Sequence, residues 1–161
     1  MRYWLYKNNS ADGGPAGYRG DWRTEVFNRS RAIRWGGHYS SESPEVWKTL
    51  DERVSAGDVV VAYQTDDRTV VGFCSITAVR SHPSGVELVV RPIEMLAQPF
   101  KIHEAKRGTI LADSIAVNGP VMLRELSSAE MKVLVKLAGA PARVLRGAPQ
   151  AGGYRPPGRA K

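Results

Sequence analysis

Trp35, His38 and Tyr39 surround the glycine pair Gly36-Gly37, and Tyr63 is followed by Gln64 at the end of a β-branched segment. Aromatic rings present π-faces, while amide and imidazole groups present a donor and an acceptor, so the set suits recognition of a flat ligand with a polar edge. Nothing here is spaced for covalent or metal chemistry. The three histidines, His38, His82 and His103, lie in different segments, and none pairs with another at the four-residue spacing of a helical metal site. His103-Glu104 begins as a zinc-protease motif does, but Arg107 stands where the second histidine is needed. No nucleophile elbow or dinucleotide fingerprint occurs, and Gly13-Gly14 lacks the lysine and strand-to-helix setting that cradle phosphate. A proton-transfer pair gathered from dispersed residues, such as His38, Asp58 or Glu104, is the one enzymatic alternative. The expectation is a non-catalytic protein with no metal and no cofactor.

The elements that must position these residues are legible in outline. Arg2 to Lys7 is aromatic-rich and short, which predicts a strand stopping at Asn8-Asn9. Ser10 to Gly20 reads as a long glycine-containing loop, and loops of that length in compact domains often carry function. Asp21 can cap a short helix over Trp22 to Asn28, and Ala32 to Trp35 suits a second strand. Ser43-Pro44-Glu45 opens a helix, with Val46, Trp47, Leu50 and Val54 on one face and Gly57 at its end. That periodicity makes Trp47 a core anchor. Asp58 to Gln64 and Val70 to Val79 predict a hairpin around the polar turn from Thr65 to Arg68, and Gly85 to Pro92 predicts a further strand. Residues 92–108 hold two prolines and read as a strand end and a connecting loop. Ile115 to Leu123 suits a strand or turn broken at Asn118-Gly119-Pro120. Ser127 with Glu130 forms a capping box, after which Met131, Leu134, Val135 and Ala138 repeat at helical spacing. Short strands interleaved with helices, without regular βα alternation, predict a mixed α+β domain on a curved sheet or small barrel.

With 161 residues and 42% hydrophobic content, the chain is the size of one domain with one core. Its apolar runs fall far short of the roughly 20 residues that span a bilayer, so a soluble, cytoplasmic protein is expected. The single cysteine, Cys74, sits in an apolar strand pattern and reads as a core residue. The formal charge is +7, but Arg143, Arg146, Arg155, Arg159 and Lys161 stand after residue 138 without any acidic residue, so five of those charges belong to the end of the chain. Composition therefore predicts a folded, nearly neutral domain over 1–138 and a flexible basic Gly/Pro/Arg tail over 139–161. Such a tail serves either for weak phosphate contacts or only for solubility.

In order along the chain come Tyr3-Trp4-Leu5-Tyr6-Lys7, Trp35-Gly36-Gly37, a helix ending in Arg53-Val54-Ser55-Ala56-Gly57-Asp58, the strand Val59 to Thr65, and Gly72-Phe73. In this order the chain resembles the EVE domain, a member of the PUA-like superfamily related to YTH and ASCH domains. The resemblance spans residues 1 to about 138. It implies an α+β pseudo-barrel of about five to six mostly antiparallel strands with flanking helices, and a pocket that accepts a nucleobase, often modified, lifted from DNA or RNA. Carried over, the base-binding positions are Lys7 and Asn8 at the end of the first strand, Trp35 with the neighbouring His38 and Tyr39, Tyr63 and Gln64, and Asn118 in a late turn. An extruded base needs a stacking face and an edge partner and no nucleophile, which agrees with the residue types. The strand from Gly85 to Pro92 lacks aromatics, so the complete methyladenine cage of YTH domains is not reproduced, and a modified cytosine fits at least as well. Two readings from other classes stand beside this one: a small enzyme acting on a nucleotide or nucleoside, and a protein-interaction module with a broad apolar patch in place of a cavity.

Overall fold

In the computed structural model the residues described are 1–10, 20–29, 31–36, 52–82, 85–119 and 121–158. The frame is set by Val59–Gln64 (β3), whose six residues are all buried. Tyr3–Asn8 (β1) lies parallel to it, in register from Tyr3 opposite Val59 to Asn8 opposite Gln64. Both strands therefore end at the same edge. Thr69–His82 (β4) returns antiparallel to β3, and Gly85–Lys101 (β5) returns antiparallel to β4. Ile33–Gly36 (β2) and Leu123–Leu126 (β6) close the two margins, giving the order β2-β5-β4-β3-β1-β6. The β4–β5 ladder shifts register at Val70/Gly72, Phe73/Cys74 and Ile76/Ala78, and each shift adds local bend and twist. The sheet curls into a half-barrel with a few flanking helices, the expected α+β PUA-like pseudo-barrel.

β5 is longer than composition predicts. Pro92 and Pro99 argued for a connecting loop, yet the strand runs through both to Lys101. Pro92 lies opposite Cys74 at a register shift, and Pro99 falls between the pairs Gly72–Met95 and Val70–Phe100, so neither missing N–H breaks a regular ladder. The late segment is also redistributed, with short helices at Ile102–Ala105 (α1) and Ile115–Asn118 (α2) before β6. Ser128–Leu137 (α3) starts at the capping box, both of whose hydrogen bonds form. The helix expected from Ser43, including Trp47, lies outside the described residues, although Val54 is buried and Gly57 takes φ +94° as a turn glycine.

Strand alternation divides the core into two layers. Trp4, Tyr6, Val60 and Ala62 face an aromatic layer with Trp22, Phe27 and Trp35. Leu5, Val59, Val61 and Tyr63 face an aliphatic layer with Ile93, Leu96, Leu111, Met131 and Leu134. Phe27 belongs to a π-helical turn, Trp22–Phe27, that sits directly on the sheet at Gly72, where a Cβ would overlap its ring and the Glu94 carbonyl. Cys74 is fully buried, and that burial pushes its thiol well above the usual range.

The end of the chain corrects a second expectation. Ala142–Arg146 forms a 3-10 helix with Val144 fully buried in the aliphatic layer. Tyr3 Oη donates to Leu145 O at 2.8 Å, and Arg143 pairs with Glu94. Tyr154 packs its ring 6.3 Å from that of Phe27 and donates to Phe27 O at 2.6 Å. Residues 142–154 are thus fastened to the domain. Few apolar groups suffice because each enters an existing gap in the sheet's covering, a tertiary fit that composition does not register. No helix among the described residues is long and apolar enough to cross a membrane.

Candidate functional site

Because β1 and β3 are parallel and in register, their last residues, Asn8 and Gln64, lie side by side, and Thr65 N extends the ladder by donating to Asn8 O at 2.7 Å. The chain re-enters this end at Gly20, whose N donates to Asn9 O at 3.0 Å. Asp21 then caps the π-helical turn by accepting from Thr24 N at 3.0 Å. Gln64 anchors this entry. Its Oε1 accepts from Trp22 N at 3.0 Å, and its Nε2 donates to Gly20 O at 3.1 Å and to Asp66. Gln64 therefore binds backbone, and what it fixes is the placement of Trp22.

Trp22 is the centre of an aromatic stack. Its ring lies 4.9 Å from Trp35 at an interplanar angle of 29°, and Tyr6 meets it edge-on at 5.3 Å. Gly20 makes room for this packing, since a Cβ there would overlap the Trp35 indole. Trp35, expected among the base-binding positions, is only 6% exposed and belongs to the core layer. The physical reason is the stack itself, which covers one of its faces with Trp22.

Several polar atoms here have no partner among the described residues. Both amide atoms of Asn8, the indole Nε1 of Trp22 and the hydroxyl of Thr65 are buried and unpaired. Asn8 is 1% exposed and Trp22 is fully buried. Each such group costs about 1–3 kcal/mol relative to a satisfied one, and buried polar groups in folded proteins are nearly always paired. They comprise three N–H donors, two on Asn8 and one on Trp22, the amide oxygen of Asn8 as an acceptor, and the Thr65 hydroxyl, which can do either.

The other expected residues separate from this cluster. Lys7 and Tyr63 point to the aliphatic side, one residue out of phase with Asn8 and Gln64. Lys7 Nζ donates to Val117 O at 3.3 Å and to Gly119 O, and burial, then the charge of Arg124, lowers its pKa to about 8. Burial likewise raises the Tyr63 phenol above its usual value, with Arg68 opposing that shift and Asp67 adding to it. Asn118 is fully engaged in its own turn. Its Nδ2 donates to Leu111 O, Ala112 O and Ser114 O at 3.3, 2.9 and 2.8 Å, and its Oδ1 accepts from Lys106. These bonds hold the turn whose carbonyls receive Lys7. His38 and Tyr39 lie outside the described residues. Asp58, weighed above as an acid or base, sits at the opposite end of β3 with its carboxylate fully hydrogen-bonded. Among the described residues no group of three His, Cys, Asp or Glu side chains is placed to hold a metal ion.

Trp22 is the residue that sequence reasoning passed over, treating it only as part of a capped helix. Two large aromatics, Trp22 and Phe27, within one short turn after a glycine-rich loop were the available signal.

The geometry defines an α+β PUA-like pseudo-barrel with an aromatic and amide cluster at the shared end of its two parallel strands. Solved structures carry the same fold. Atu2648 from Agrobacterium tumefaciens has a TM-score of 0.70 at 14% identity, covering 89% of this chain and 97% of that one. The DUF55 domain of human thymocyte nuclear protein 1 has a TM-score of 0.65 at 12% identity, covering 84% and 98%. Human THYN1 in complex with 5-methylcytosine containing DNA has a TM-score of 0.61 at 10% identity, covering 88% and 99%. At these identities the likeness is one of fold. No protein-family model and no curated protein matches the sequence.

Proposed function

We propose that this protein is an EVE-type, non-catalytic nucleic-acid-binding domain that takes a modified nucleobase at the shared end of β1 and β3. One observation carries the reading: Asn8 is buried with both amide atoms unpaired among the described residues, and so is the indole N–H of Trp22, whose backbone is held by Gln64, the register partner of Asn8. An amide supplies one donor set and one acceptor, the complement of a base edge, and pairing with a base would satisfy groups that the protein leaves empty. The stacked rings of Trp22 and Trp35 supply the aromatic wall that such a pocket needs. A further support is that human THYN1, which shares the fold, was solved with DNA containing 5-methylcytosine. Because Asn8 and Trp22 are closed to solvent, a base must displace what covers them, so association should be slower than for an open pocket.

The test is a panel of DNA and RNA oligonucleotides carrying plain or modified bases, with 5-methylcytosine first, measured by fluorescence anisotropy at physiological salt. A single base in one pocket should bind with a Kd on the order of micromolar and prefer the modified strand. Equal binding of modified and plain strands across the panel would overturn base reading.

A further inference from the structure

Beside the Asn8 cluster lies a second feature with different chemistry, an open cleft of about 530 Å³ between the β3–β4 turn and the start of α1. The turn contributes Asp66, Asp67 and Arg68, and the end of β5 with α1 contributes Lys101, His103 and Glu104, with Arg107 following. The carboxylates are already engaged. Asp67 pairs with Arg23 at 3.0 Å, and Asp66 accepts from Ser10 N at 3.0 Å, from Ser10 Oγ at 2.9 Å and from Gln64. Glu104 stands 3.9 Å from Lys101 across an exposed gap, a contact that holds neither group firmly. Arg68 and Arg107 have no ion pair among the described residues. The lining carries three cations, Arg68, Lys101 and Arg107, beside three carboxylates, and the two arginines are the charges left without an ion partner among the described residues. His103 lies near several cations: its pKa is lowered, first by burial and then by the charges of Lys106, Lys7 and Arg68.

Two details tie the cleft to the base site. Ser10, two residues beyond Asn8, and Gln64 both hydrogen-bond Asp66, so the rim of the cleft starts two residues from the side chain that fixes Trp22. Arg68 has φ +58°, the left-handed region that glycine enters freely and an arginine enters with strain. A cation is kept at the one turn position where glycine would fold better, and strain of this kind gathers at sites of function.

We propose that this cleft holds the phosphodiester backbone of the DNA strand whose base enters at Asn8, with Arg68 and Arg107 as phosphate ligands and Lys101 as a supporting charge. The placement of the strand rests on the base-reading function proposed above. Phosphate contacts carry no base information, so the cleft contributes affinity and orientation while the Asn8 cluster contributes selectivity.

The full chain is tested as wild type, Arg68→Gly, Arg107→Gln and the double variant. Each is titrated with three labelled strands of equal length, carrying 5-methylcytosine, plain cytosine or only abasic sites, across a series of salt concentrations. Each single variant should weaken all three strands by a similar factor, and each should flatten the salt slope by about one. Arg68→Gly should also raise the melting temperature, because glycine relieves the left-handed strain, so lost binding cannot be blamed on lost fold. A double variant that binds the abasic strand with wild-type affinity and slope overturns the cleft, whatever the modified base does. If the wild type binds the abasic strand through these arginines but does not prefer the modified base, base reading fails and the backbone cleft stands. Absence of binding to all three strands by the wild type removes both.

Discussion

The two ends of the β1–β3 pair bury the same kinds of group and treat them oppositely. At the start of the strands, Asp58 accepts from Arg2 N at 2.8 Å, from Trp4 Nε1 at 2.9 Å and from Ser55 N at 3.0 Å. A tryptophan N–H, two backbone N–H groups and a buried carboxylate satisfy one another there. At the far end, among the described residues, Trp22 Nε1 has no acceptor, and Asn8 has neither donor nor acceptor paired. The side chains compared are equally buried, Asp58 and Trp4 at one end and Asn8 and Trp22 at the other. Among the described residues one end is finished by the protein's own groups, and the other leaves its polar atoms unmatched. That contrast is what the proposed base site rests on.

The largest effect that would break this contrast lies at the finished end. Tyr3 is joined there to the 3-10 helix by its bond to Leu145, while Val144 and the Arg143–Glu94 pair fasten the same segment. Truncation after residue 138 removes a fully buried valine, two tyrosine hydrogen bonds and an ion pair, which should cost about 5 kcal/mol. Urea denaturation of the truncated and full chains measures it. An unchanged midpoint would make residues 139–161 a mere appendage and would leave the finished end resting on Asp58 alone.

Next in size is Asp58→Ala, which strands the buried indole N–H of Trp4 and takes the acceptor from two part-buried backbone N–H groups, those of Arg2 and Ser55. A loss of about 3–4 kcal/mol is expected, with no change in base preference among the molecules that remain folded. Asn8→Leu should behave in the reverse sense. It removes two unpaired buried polar atoms and replaces them with an apolar group of similar size, so stability should rise by about 1–2 kcal/mol while preference for a modified base disappears. Loss of stability in both variants would erase the distinction between the ends. Gain of stability in Asn8→Leu with full retention of base preference would keep the contrast and remove its functional meaning.

How much of this could be read from the chain follows from which interactions are local. The β3–β4 hairpin, the capping box at Ser127 and the turn at Gly57 are written in neighbouring residues, and they appear where expected. Asn8 and Asn118 are the same residue type, and no local pattern tells them apart. Asn118 is spent on three carbonyls of its own turn, and Asn8 on none, which depends on what the fold brings near each. Strand parity was available in principle: Lys7 and Tyr63 differ by one position from Asn8 and Gln64, so the four could not share one face. Trp22 was hidden for another reason. Its importance comes from Gly20, Gln64 and Trp35 meeting around it, and those residues are far apart in sequence.

The smallest predicted effect extends the contrast to the other side of the same end, at Lys7. Its amine is held by the Val117 and Gly119 carbonyls, without a carboxylate among the described residues, and its pKa falls from 10.5 to about 8. Between about pH 8 and 10.5 the unfolded chain then binds the proton more readily than the folded one, so stability contributed by this group rises with pH through that window. Below it both states are charged and the cost of burying the ammonium is fully present. Lys7→Gln keeps a donor for the carbonyls and discards the charge. It should therefore be the more stable form at pH 7 and lose that advantage as the wild-type amine deprotonates, an effect that thermal melts of both proteins over pH 7–10.5 can resolve while other lysines and tyrosines cancel in the difference. A difference curve that stays flat across the window would put the Lys7 amine in effective contact with solvent. The unmatched polar chemistry of this end would then be confined to Asn8 and Trp22 on the aromatic side.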